Sequence, residues 1–171
     1  MLWAVASRLL AARPEVAHAS LMDDTETTRR LLRLQIEELW GKGRTDLVRQ
    51  IYAPDVTDHM PLPGQPQGLD ALAEVVERFH AAIPDLAIEV HGILADGDRA
   101  SDFWTLTGHH TGAALMGVQA SGNALRFSGI DWIRVRDGRI TDIWHAEELA
   151  LMGDQLRGVR HDLGVKAEGH G

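Results

Sequence analysis

The sequence predicts an α+β fold, because segments with helical periodicity come first and segments with strand periodicity follow. Three helical segments fill residues 22–85, and four segments of alternating polar and apolar residues fill residues 85–147. Long consecutive strands joined by turns are typical of an antiparallel, strongly twisted sheet. With three helices on its concave side, such a curved sheet encloses a pocket, so we expect the protein to bind a ligand.

Composition limits the classes of function. The 171 residues suggest one domain, and a net charge of −8 argues against a nucleic-acid partner. Cysteine is absent, which excludes disulfides, thiolate nucleophiles and cysteine-based zinc sites. We expect a cytoplasmic protein without membrane contact.

The domain itself is expected over residues 23–157, followed by a flexible tail over residues 158–171. Residues 1–22 hold an apolar stretch that Arg8 interrupts and that is too short to span a membrane. We interpret this segment as an extension outside the core, with a cleaved export signal as the alternative.

The helices are predicted from capping residues and apolar stripes. The first covers residues 22–43, with acids in its first turn and glycine at its end. The second covers residues 45–55, and the third covers residues 69–85, where Pro84 stops it. Residues 56–68 form a short extended piece and a Pro/Gly-rich loop, and a last short helix covers residues 148–158.

The strands are predicted over residues 85–94, 98–112, 123–137 and 138–147. On the last strand, strict alternation places Trp144 and Glu148 on one face and Glu147 on the other. At most one of the two glutamates can therefore point into a pocket. The rest of the strand does not decide which, because Trp144 and Ile143 are both apolar.

The turn at Asp137-Gly138 decides which residues of the neighbouring strand share the Trp144 face. A two-residue turn would place Asp131 beside Trp144. A three-residue turn with Gly138 at a bulge would place Ile130 there, with Trp132 and Arg134 on the same face as Trp144 and Glu148. We prefer the bulged turn, because Arg134 would then supply a cation for an anionic oxygen or an enolate in the pocket.

Several histidines are candidates for the site, but metal and nucleotide chemistry are unsupported. His109 and His110 are adjacent on a strand, so they face opposite sides and cannot share one metal ion. The spacings H-x-H, H-E-x-x-H, G-x-S-x-G and G-x-G-x-x-G are all absent. His110 is either a pocket residue or a hydrogen-bonded core residue, and His59 precedes the Pro-rich loop near the expected rim. Asp102, on the His110 face, is either a second pocket acid or an edge residue exposed to water.

A set of ordered motifs over residues 24–157 resembles the SnoaL-like polyketide cyclase family, which has the nuclear-transport-factor-two-like cone fold. The matching stretches include "LWGKGRTDLVRQIYAPDVTDHMP", "FHAAIPDLAIEV", "ADGDRASDFWTLTGHHTG", "SGNALRFSGIDWIRVRDGRI" and "IWHAEELALMGDQL". The resemblance implies a cone-shaped barrel, no metal and no organic cofactor, and a homodimer or homotetramer formed through the sheet.

The resemblance also implies a role for one acid. In the best-known members, an aspartate four residues after a tryptophan ends the last strand and acts as general acid/base in an intramolecular aldol condensation. Counted from Trp144, this position is Glu148, whose side chain is one methylene longer than aspartate. The alternative for Glu148 is a structural one, since acids are favoured in the first turn of a helix.

We therefore expect an enzyme that closes a ring in a hydrophobic, ketone-bearing small molecule. Glu148 would be the acid/base, and apolar walls would raise the pKa of its carboxyl. The enolate oxygen would contact one of three groups: His59, His110 or Arg134. The expected walls are Trp144, Trp104, Trp132 and Ile130, with Met60 and Trp40 as core or wall residues. An isomerase, an epoxide hydrolase, a non-catalytic small-ligand-binding protein and a dimerisation module are the alternatives.

Overall fold

A computed structural model describes residues 14–62 and 64–159 of the chain, with side chains from residue 23 onward. Helices precede the sheet, as the sequence predicts. The described elements are α1 (Pro14–Arg33), which continues in wider π-type turns over Leu34–Trp40, then α2 (Val48–Ile51), β1 (Tyr52–Asp58), α3 (Leu69–Ala82), β2 (Ala87–Asp96), β3 (Arg99–His109), β4 (Ala124–Arg136), β5 (Arg139–Glu147) and α4 (Leu149–Leu156). Most of the expected extension over residues 1–22 and most of the expected tail over residues 158–171 lie outside the described residues.

The first helix begins earlier than predicted, at Pro14 rather than at residue 22. Proline suits the first turn of a helix, because its missing N–H would have no partner there. At the other end the helix widens into π-type turns, where Gln35, Ile36 and Leu39 are buried. Such turns often occur at functional sites, and here they place an amide side chain in the core.

The second predicted helix is shorter than expected and is followed by a strand. It ends at Ile51, and the chain continues as β1, which runs parallel to β5. Pro54 lies in β1, where its missing N–H is tolerated because β1 is an edge strand. The expected purely antiparallel sheet is therefore wrong at this edge. The successive strands from β2 to β5 pair antiparallel, whereas β1 follows the second helix directly and pairs parallel with β5.

The five strands form one mixed sheet in the order β1-β5-β4-β3-β2. The strands β2 to β5 are antiparallel neighbours. Because β1 and β2 are free edges, the sheet of the expected cone-shaped barrel is not closed. In the ranges described above, no helix is both long and apolar enough to cross a membrane.

The core lies between the helices and one face of the sheet. One cluster of buried side chains joins α1 and α2 to β4 and β5, and includes Leu32, Ile51 and Ile133. A second cluster joins α3 and α4 to β3 and β4, and includes Phe79 and Leu106. Inward-facing side chains of both clusters leave a cavity where the clusters meet.

The β4–β5 hairpin differs from the preferred prediction in its turn. Asp137 and Gly138 both have positive φ, at 50° and 69°, and Arg136 pairs with Arg139. This is a two-residue type I′ turn, for which Asp-Gly is well suited. The preferred three-residue turn is therefore wrong.

A bulge at Thr141 nevertheless brings Trp132 and Arg134 to the expected face. Thr141 is an extra residue between the pairs Val135–Ile140 and Arg134–Asp142. Beyond it Trp132 lies opposite Trp144, whereas Ile130 lies opposite Ala146 rather than Trp144. The inserted residue reverses the side-chain alternation of β5, so Ile140 and Ile143 are both buried in the core.

Candidate active site

A cavity of about 70 Å³ lies between the helices and the covered face of the sheet. Aromatic rings form much of its wall: Trp40, Tyr52, Phe79, Trp104 and Phe127. The polar lining residues are Gln35, Asp58, Gln65, Asp131, His145 and Glu147. This volume is about half of the roughly 150 Å³ that admits benzene in an engineered cavity.

The bulge in β5 determines which of its residues enter the cavity. Beyond Thr141, the residues Ile143, His145 and Glu147 face the helices and line the cavity. Asp142 and Trp144 face the opposite side of the sheet. The carboxylate that β5 supplies to the cavity is therefore Glu147.

His145 lies between two carboxylates. Its Nδ1 is 2.5 Å from Oε1 of Glu147, and its Nε2 is 3.1 Å from Oδ1 of Asp58. Asp58 comes from the end of β1, so the parallel pairing of β1 with β5 brings this acid to the site. The side chains of His145 and Glu147 are each 15% exposed, and that of Asp58 is 5% exposed.

The two carboxylates keep the imidazole protonated. Burial alone would lower the pKa of His145, but the hydrogen bonds to Asp58 and Glu147 outweigh burial and raise this pKa to about 10. Burial alone would likewise raise the pKa of Asp58, but hydrogen bonds from His145 and from the Met60 N–H lower it. At neutral pH the cavity wall thus carries an imidazolium bonded to an ionised Asp58.

Asp131 is a buried carboxyl on β4, directly opposite His145. Its Oδ2 accepts a hydrogen bond from Gln35 Nε2 at 2.9 Å, and its Oδ1 accepts one from Trp104 Nε1 at 3.4 Å. Burial raises the pKa of Asp131, and the charge of Glu147 acts in the same direction, against the charge of His145. A carboxyl with a raised pKa in an apolar cavity is suited to proton transfer.

Gly129 leaves space for the indole ring of Trp104. Gly129 lies opposite Trp104 on the neighbouring strand, and a Cβ at this position would overlap the indole ring. The glycine therefore lets the ring lie across β4, where its N–H reaches Asp131.

Asp102 lies directly opposite Asp131 on β3 and is 2% exposed. Its Oδ1 accepts a hydrogen bond from the Asp131 backbone N–H at 3.1 Å. Burial and the charge of Asp131 both raise the pKa of Asp102. Of the two alternatives for Asp102, a position at a water-exposed edge is excluded. Its side chain is buried beside Asp131 and does not itself line the cavity.

The family model of the SnoaL-like polyketide cyclases matches residues 30–156. This chain belongs to the SnoaL-like polyketide cyclase family. The matched range contains every titratable residue of the cavity wall described above. A search of the curated proteins found no match.

Solved structures support the same family and fold. A "putative polyketide cyclase" from Bacillus cereus is 28% identical, with a TM-score of 0.61, over 72% of this chain and 75% of the other. IdmH from Streptomyces antibioticus, also described as a "putative polyketide cyclase", is 26% identical, with a TM-score of 0.63, over 77% of this chain and 99% of its own. TsrD from Streptomyces laurentii, 20% identical over 80% of this chain and 98% of its own with a TM-score of 0.70, shares the fold.

In this SnoaL-like protein, Glu148 does not line the cavity. It is exposed at the N-cap of α4, and its Oε2 accepts a hydrogen bond from the Ser128 N–H at 2.8 Å. Its own N–H also donates to the Ser128 carbonyl. The expectation that Glu148 opens into the pocket is therefore corrected, because the bulge at Thr141 turns Glu147 inward instead.

Several other predicted site residues lie on the opposite face of the sheet. His59 stacks on Trp144 at 4.0 Å and bonds Asp142 through Nε2 at 3.0 Å. Arg134 lies 5.8 Å from the ring centroids of both Trp132 and Trp144. This stacked cluster is separated from the cavity by the sheet, so Arg134 does not supply the cavity with a cation.

The remaining predicted residues divide between wall, surface and core. Trp104 and Trp40 line the cavity, as expected. Ile130 and Met60 are 51% and 48% exposed and do not line it. His110 is fully buried and bonds Ser121 Oγ and the Ala113 carbonyl, so it supports the loop after β3 rather than the cavity. Among the residues whose side chains are described, no group of three or more His, Asp or Glu side chains is arranged to hold a metal ion.

Sequence reasoning missed most of the polar cavity residues: Gln35, Asp58, Asp131 and His145. The sequence pattern could have identified Asp131, because it alternates with Phe127 and Ile133 on an otherwise apolar, buried face of β4. A carboxylate on such a face requires an explanation. Gln35 and Asp58 carried no comparable local signal, because π-type turns and a parallel strand pairing place them.

Proposed function

We propose that this protein is a cofactor-free acid/base enzyme acting on a hydrophobic, ketone-bearing small molecule, and most specifically an aldol cyclase. The observation that carries the proposal is the convergence of Asp58, Asp131, His145 and Glu147 on one aromatic-walled cavity. Membership of the SnoaL-like polyketide cyclase family supports the reaction class.

Asp131 is the proposed base. Its carboxyl lies in the apolar cavity with a raised pKa, and Gln35 and Trp104 hold its two oxygens. Burial makes the carboxylate more basic than it is in water, while the two donors fix its orientation. Both properties favour removal of a proton from carbon beside a carbonyl.

His145 is the proposed source of positive charge for the developing enolate. Its imidazolium lies opposite Asp131, and Asp58 and Glu147 occupy its two nitrogens. The carboxylates hold the ring in place, so the positive charge is fixed before reaction. In an apolar cavity a fixed charge acts more strongly on an enolate than in water.

The proposed reaction leaves Asp131 in its starting protonation state. Asp131 takes a proton from the carbon beside a ketone, and the resulting enolate carbon attacks a second carbonyl of the same molecule. A carbon–carbon bond forms, and the π electrons of the attacked carbonyl move to its oxygen. Protonated Asp131 then gives its proton to this alkoxide, which regenerates the carboxylate.

The size of the cavity limits how much of the substrate enters it. A volume of about 70 Å³, half of the roughly 150 Å³ that admits benzene, accommodates the few atoms around one reacting carbonyl and not a whole ring or a whole polyketide. Leu62 and Gln65 of the loop after β1, and Leu149 at the start of α4, also line the cavity. We propose that the reacting portion enters the cavity while the rest of the substrate lies against this loop and helix.

The experiment measures proton abstraction without the natural substrate. Wild-type protein is incubated with butanone, a ketone small enough for the cavity, in deuterated water, and exchange of the protons beside the carbonyl is followed by NMR. We expect Asp131→Asn to slow catalysed exchange by about 100-fold or more, as for loss of a general base. Absence of catalysed exchange by the wild type on this and larger hydrophobic ketones would instead support a binding protein.

Two adjacent glutamates provide a matched control. Glu147→Gln and Glu148→Gln are the same chemical change on opposite faces of the chain. We expect Glu147→Gln to slow exchange, because it weakens the hold on the His145 imidazolium, and Glu148→Gln to leave exchange unchanged. Loss of exchange in a folded Glu148→Gln variant, with Glu147→Gln still active, would contradict the proposed site.

We also propose that the protein forms a homodimer through the open face of the sheet. Phe103 and Ile130 are directly opposite each other on β3 and β4, and are 46% and 51% exposed. Ala146 continues this exposed apolar row on β5. Burial of such a row against a second copy would remove apolar surface from water.

A further inference from the structure

Two buried oxygen atoms near the proposed base have no hydrogen-bond partner. They are Oδ2 of Asp102 and Oε1 of Gln35, in side chains that are almost completely buried. They are the only buried side-chain nitrogen or oxygen atoms in that state within the part of the chain whose side chains are described. A buried acceptor without a donor is costly, so each of these two oxygens requires an explanation.

Both orphan atoms belong to residues that bond Asp131. Gln35 Nε2 donates to Asp131 Oδ2 at 2.9 Å, and Asp102 Oδ1 accepts the Asp131 N–H at 3.1 Å. Asp102 and Asp131 are also directly opposite each other in the sheet. The two unpartnered oxygens therefore belong to residues that both bond Asp131, Gln35 at its carboxyl and Asp102 at its backbone N–H, and both are acceptors. One proton between them would satisfy both.

We infer that Asp102 is a neutral carboxylic acid whose Oδ2–H donates to Oε1 of Gln35, and that this bond orients the Gln35 amide towards Asp131. Asp102 is then a positioning residue for the base, a role that rests on the proposed function. The opposite orientation of the amide would place its oxygen against the Asp131 carboxylate and leave no donor between them.

The charges around the pair favour a proton on Asp102 rather than on Asp131. Asp131 accepts hydrogen bonds from Gln35 and Trp104 and lies opposite the His145 imidazolium. Asp102 accepts one backbone N–H and carries the orphan oxygen. A negative charge is therefore better supported on Asp131.

Other groups near the pair do not supply a cation to Asp102. Tyr52 on β1 is buried, and its pKa is raised by burial and by the charges of Asp131 and Asp58. Glu147 on β5 adds negative charge near Asp131. Two ionised aspartates side by side would repel each other in this buried position, so one of them holds a proton.

Infrared spectroscopy of the whole protein tests the protonation state without any substrate. We expect the wild type at neutral pH to show the carbonyl stretch of a protonated carboxylic acid, labelled by ¹³C-aspartate. Asp102→Asn should abolish this band, and Asp131→Asn should retain it. A wild type without the band, or a band that Asp131→Asn abolishes and Asp102→Asn retains, would overturn the inference.

The positioning role is tested by the titration of Asp131, followed through its ¹³C carboxyl shift. Asp102→Asn keeps a donor at the position of Oδ2, so we expect the Asp131 pKa to stay at its wild-type value. Asp102→Leu removes the donor and frees the Gln35 amide, so we expect that pKa to rise by about one unit. If Asp102→Leu does not fold, Asp102→Val, which also lacks a donor and suits a strand, serves instead, with the same expected rise.

An Asp131 pKa that is unchanged in the folded Asp102→Leu or Asp102→Val protein would reject the positioning role. These measurements do not depend on turnover. If the protein proves to have no enzyme activity, the protonation state of Asp102 can still be measured. If Asp102 proves to be ionised, the proton-exchange assay still tests the proposed activity.

Discussion

At the scale of single residues, the site depends on compensation of buried charge. His145 stands between Asp58 and Glu147, and all three side chains are at most 15% exposed. A buried ion pair contributes little net stability when complete, but removal of one partner leaves an uncompensated charge. His145 is therefore expected to matter for stability as well as for the proposed chemistry.

Replacement of His145 by Asn should lower the free energy of unfolding by about 3 kcal/mol, because Asp58 loses its charged partner. Urea denaturation at neutral pH measures this change. The matched control is His109→Asn, since His109 also bonds an aspartate, Asp85, but both side chains are more than half exposed. We expect little change in the control. Equal losses in the two variants would contradict the assigned burial.

The stability that His145 contributes should also depend on pH in a defined direction. Its pKa is raised to about 10 in the folded protein, above the value of about 6.5 for an unfolded chain. The contribution is therefore complete below about pH 6.5 and is lost as pH rises towards 10. The difference in unfolding free energy between wild type and His145→Asn should shrink over this range. A difference that grows with pH would show that His145 is neutral in the folded protein.

Gly129 should tolerate no side chain, because a Cβ would overlap the Trp104 ring. We expect Gly129→Ala to cost about 1–3 kcal/mol, as for an overpacked core, and to displace the indole from Asp131. Urea denaturation measures the loss, and the indole N–H signal in NMR reports the displacement. Gly92→Ala on β2 is the control, since a Cβ added there would meet no atom within 4 Å. An unaltered indole signal in Gly129→Ala would contradict this packing.

At the scale of elements, the β4–β5 hairpin decides which acid enters the cavity. Its type I′ turn and the bulge at Thr141 together place His145 and Glu147 on the inner face. The Asp-Gly sequence allows both turn lengths, but the extra residue lies in the strand rather than in the turn, where we expected it. Because side chains alternate with a period of two, this one extra residue turns Glu147 into the cavity and Glu148 away from it.

The turn itself can be tested at Asp137, which has a φ of 50°. Valine is unfavourable at positive φ, so Asp137→Val should destabilise the protein by about 1–3 kcal/mol. Asn tolerates this conformation, and Asp137→Asn should leave stability nearly unchanged. Thermal or urea unfolding distinguishes the two variants. A stable Asp137→Val protein would indicate that the hairpin has another turn.

At the scale of the whole molecule, the sheet has one face covered by helices and one face without cover in the chain described here. Phe103, Ile130 and Ala146 form the exposed apolar row on the second face. The stacked residues around Trp144 lie on this same face. The two faces thus separate the proposed chemistry from the proposed association.

The double change Phe103→Glu and Ile130→Glu should prevent dimer formation, because it introduces charge into the apolar row. Analytical ultracentrifugation of wild type and variant measures the mass in solution. Met116→Glu is the control, since Met116 is 44% exposed in the loop after β3, outside this row. A wild type that stays monomeric at high concentration would contradict the proposed dimer.

The sequence by itself determined the α+β class, the order of helices before strands, and the four antiparallel strands, because periodicity and turn residues are local properties. The resemblance of its motifs to the SnoaL-like family is confirmed by the family match. The sequence also determined that at most one of Glu147 and Glu148 could face a pocket.

Only the tertiary structure decided which acids share the cavity. The parallel pairing of β1 with β5 brings Asp58 to His145, and the π-type turns of α1 bring Gln35 to Asp131. Both contacts join residues far apart in the chain, which local periodicity does not encode. Glu147 rather than Glu148 enters the cavity for a related reason. The extra residue Thr141 is placed by the pairing of β5 with β4, which the sequence of β5 alone does not determine.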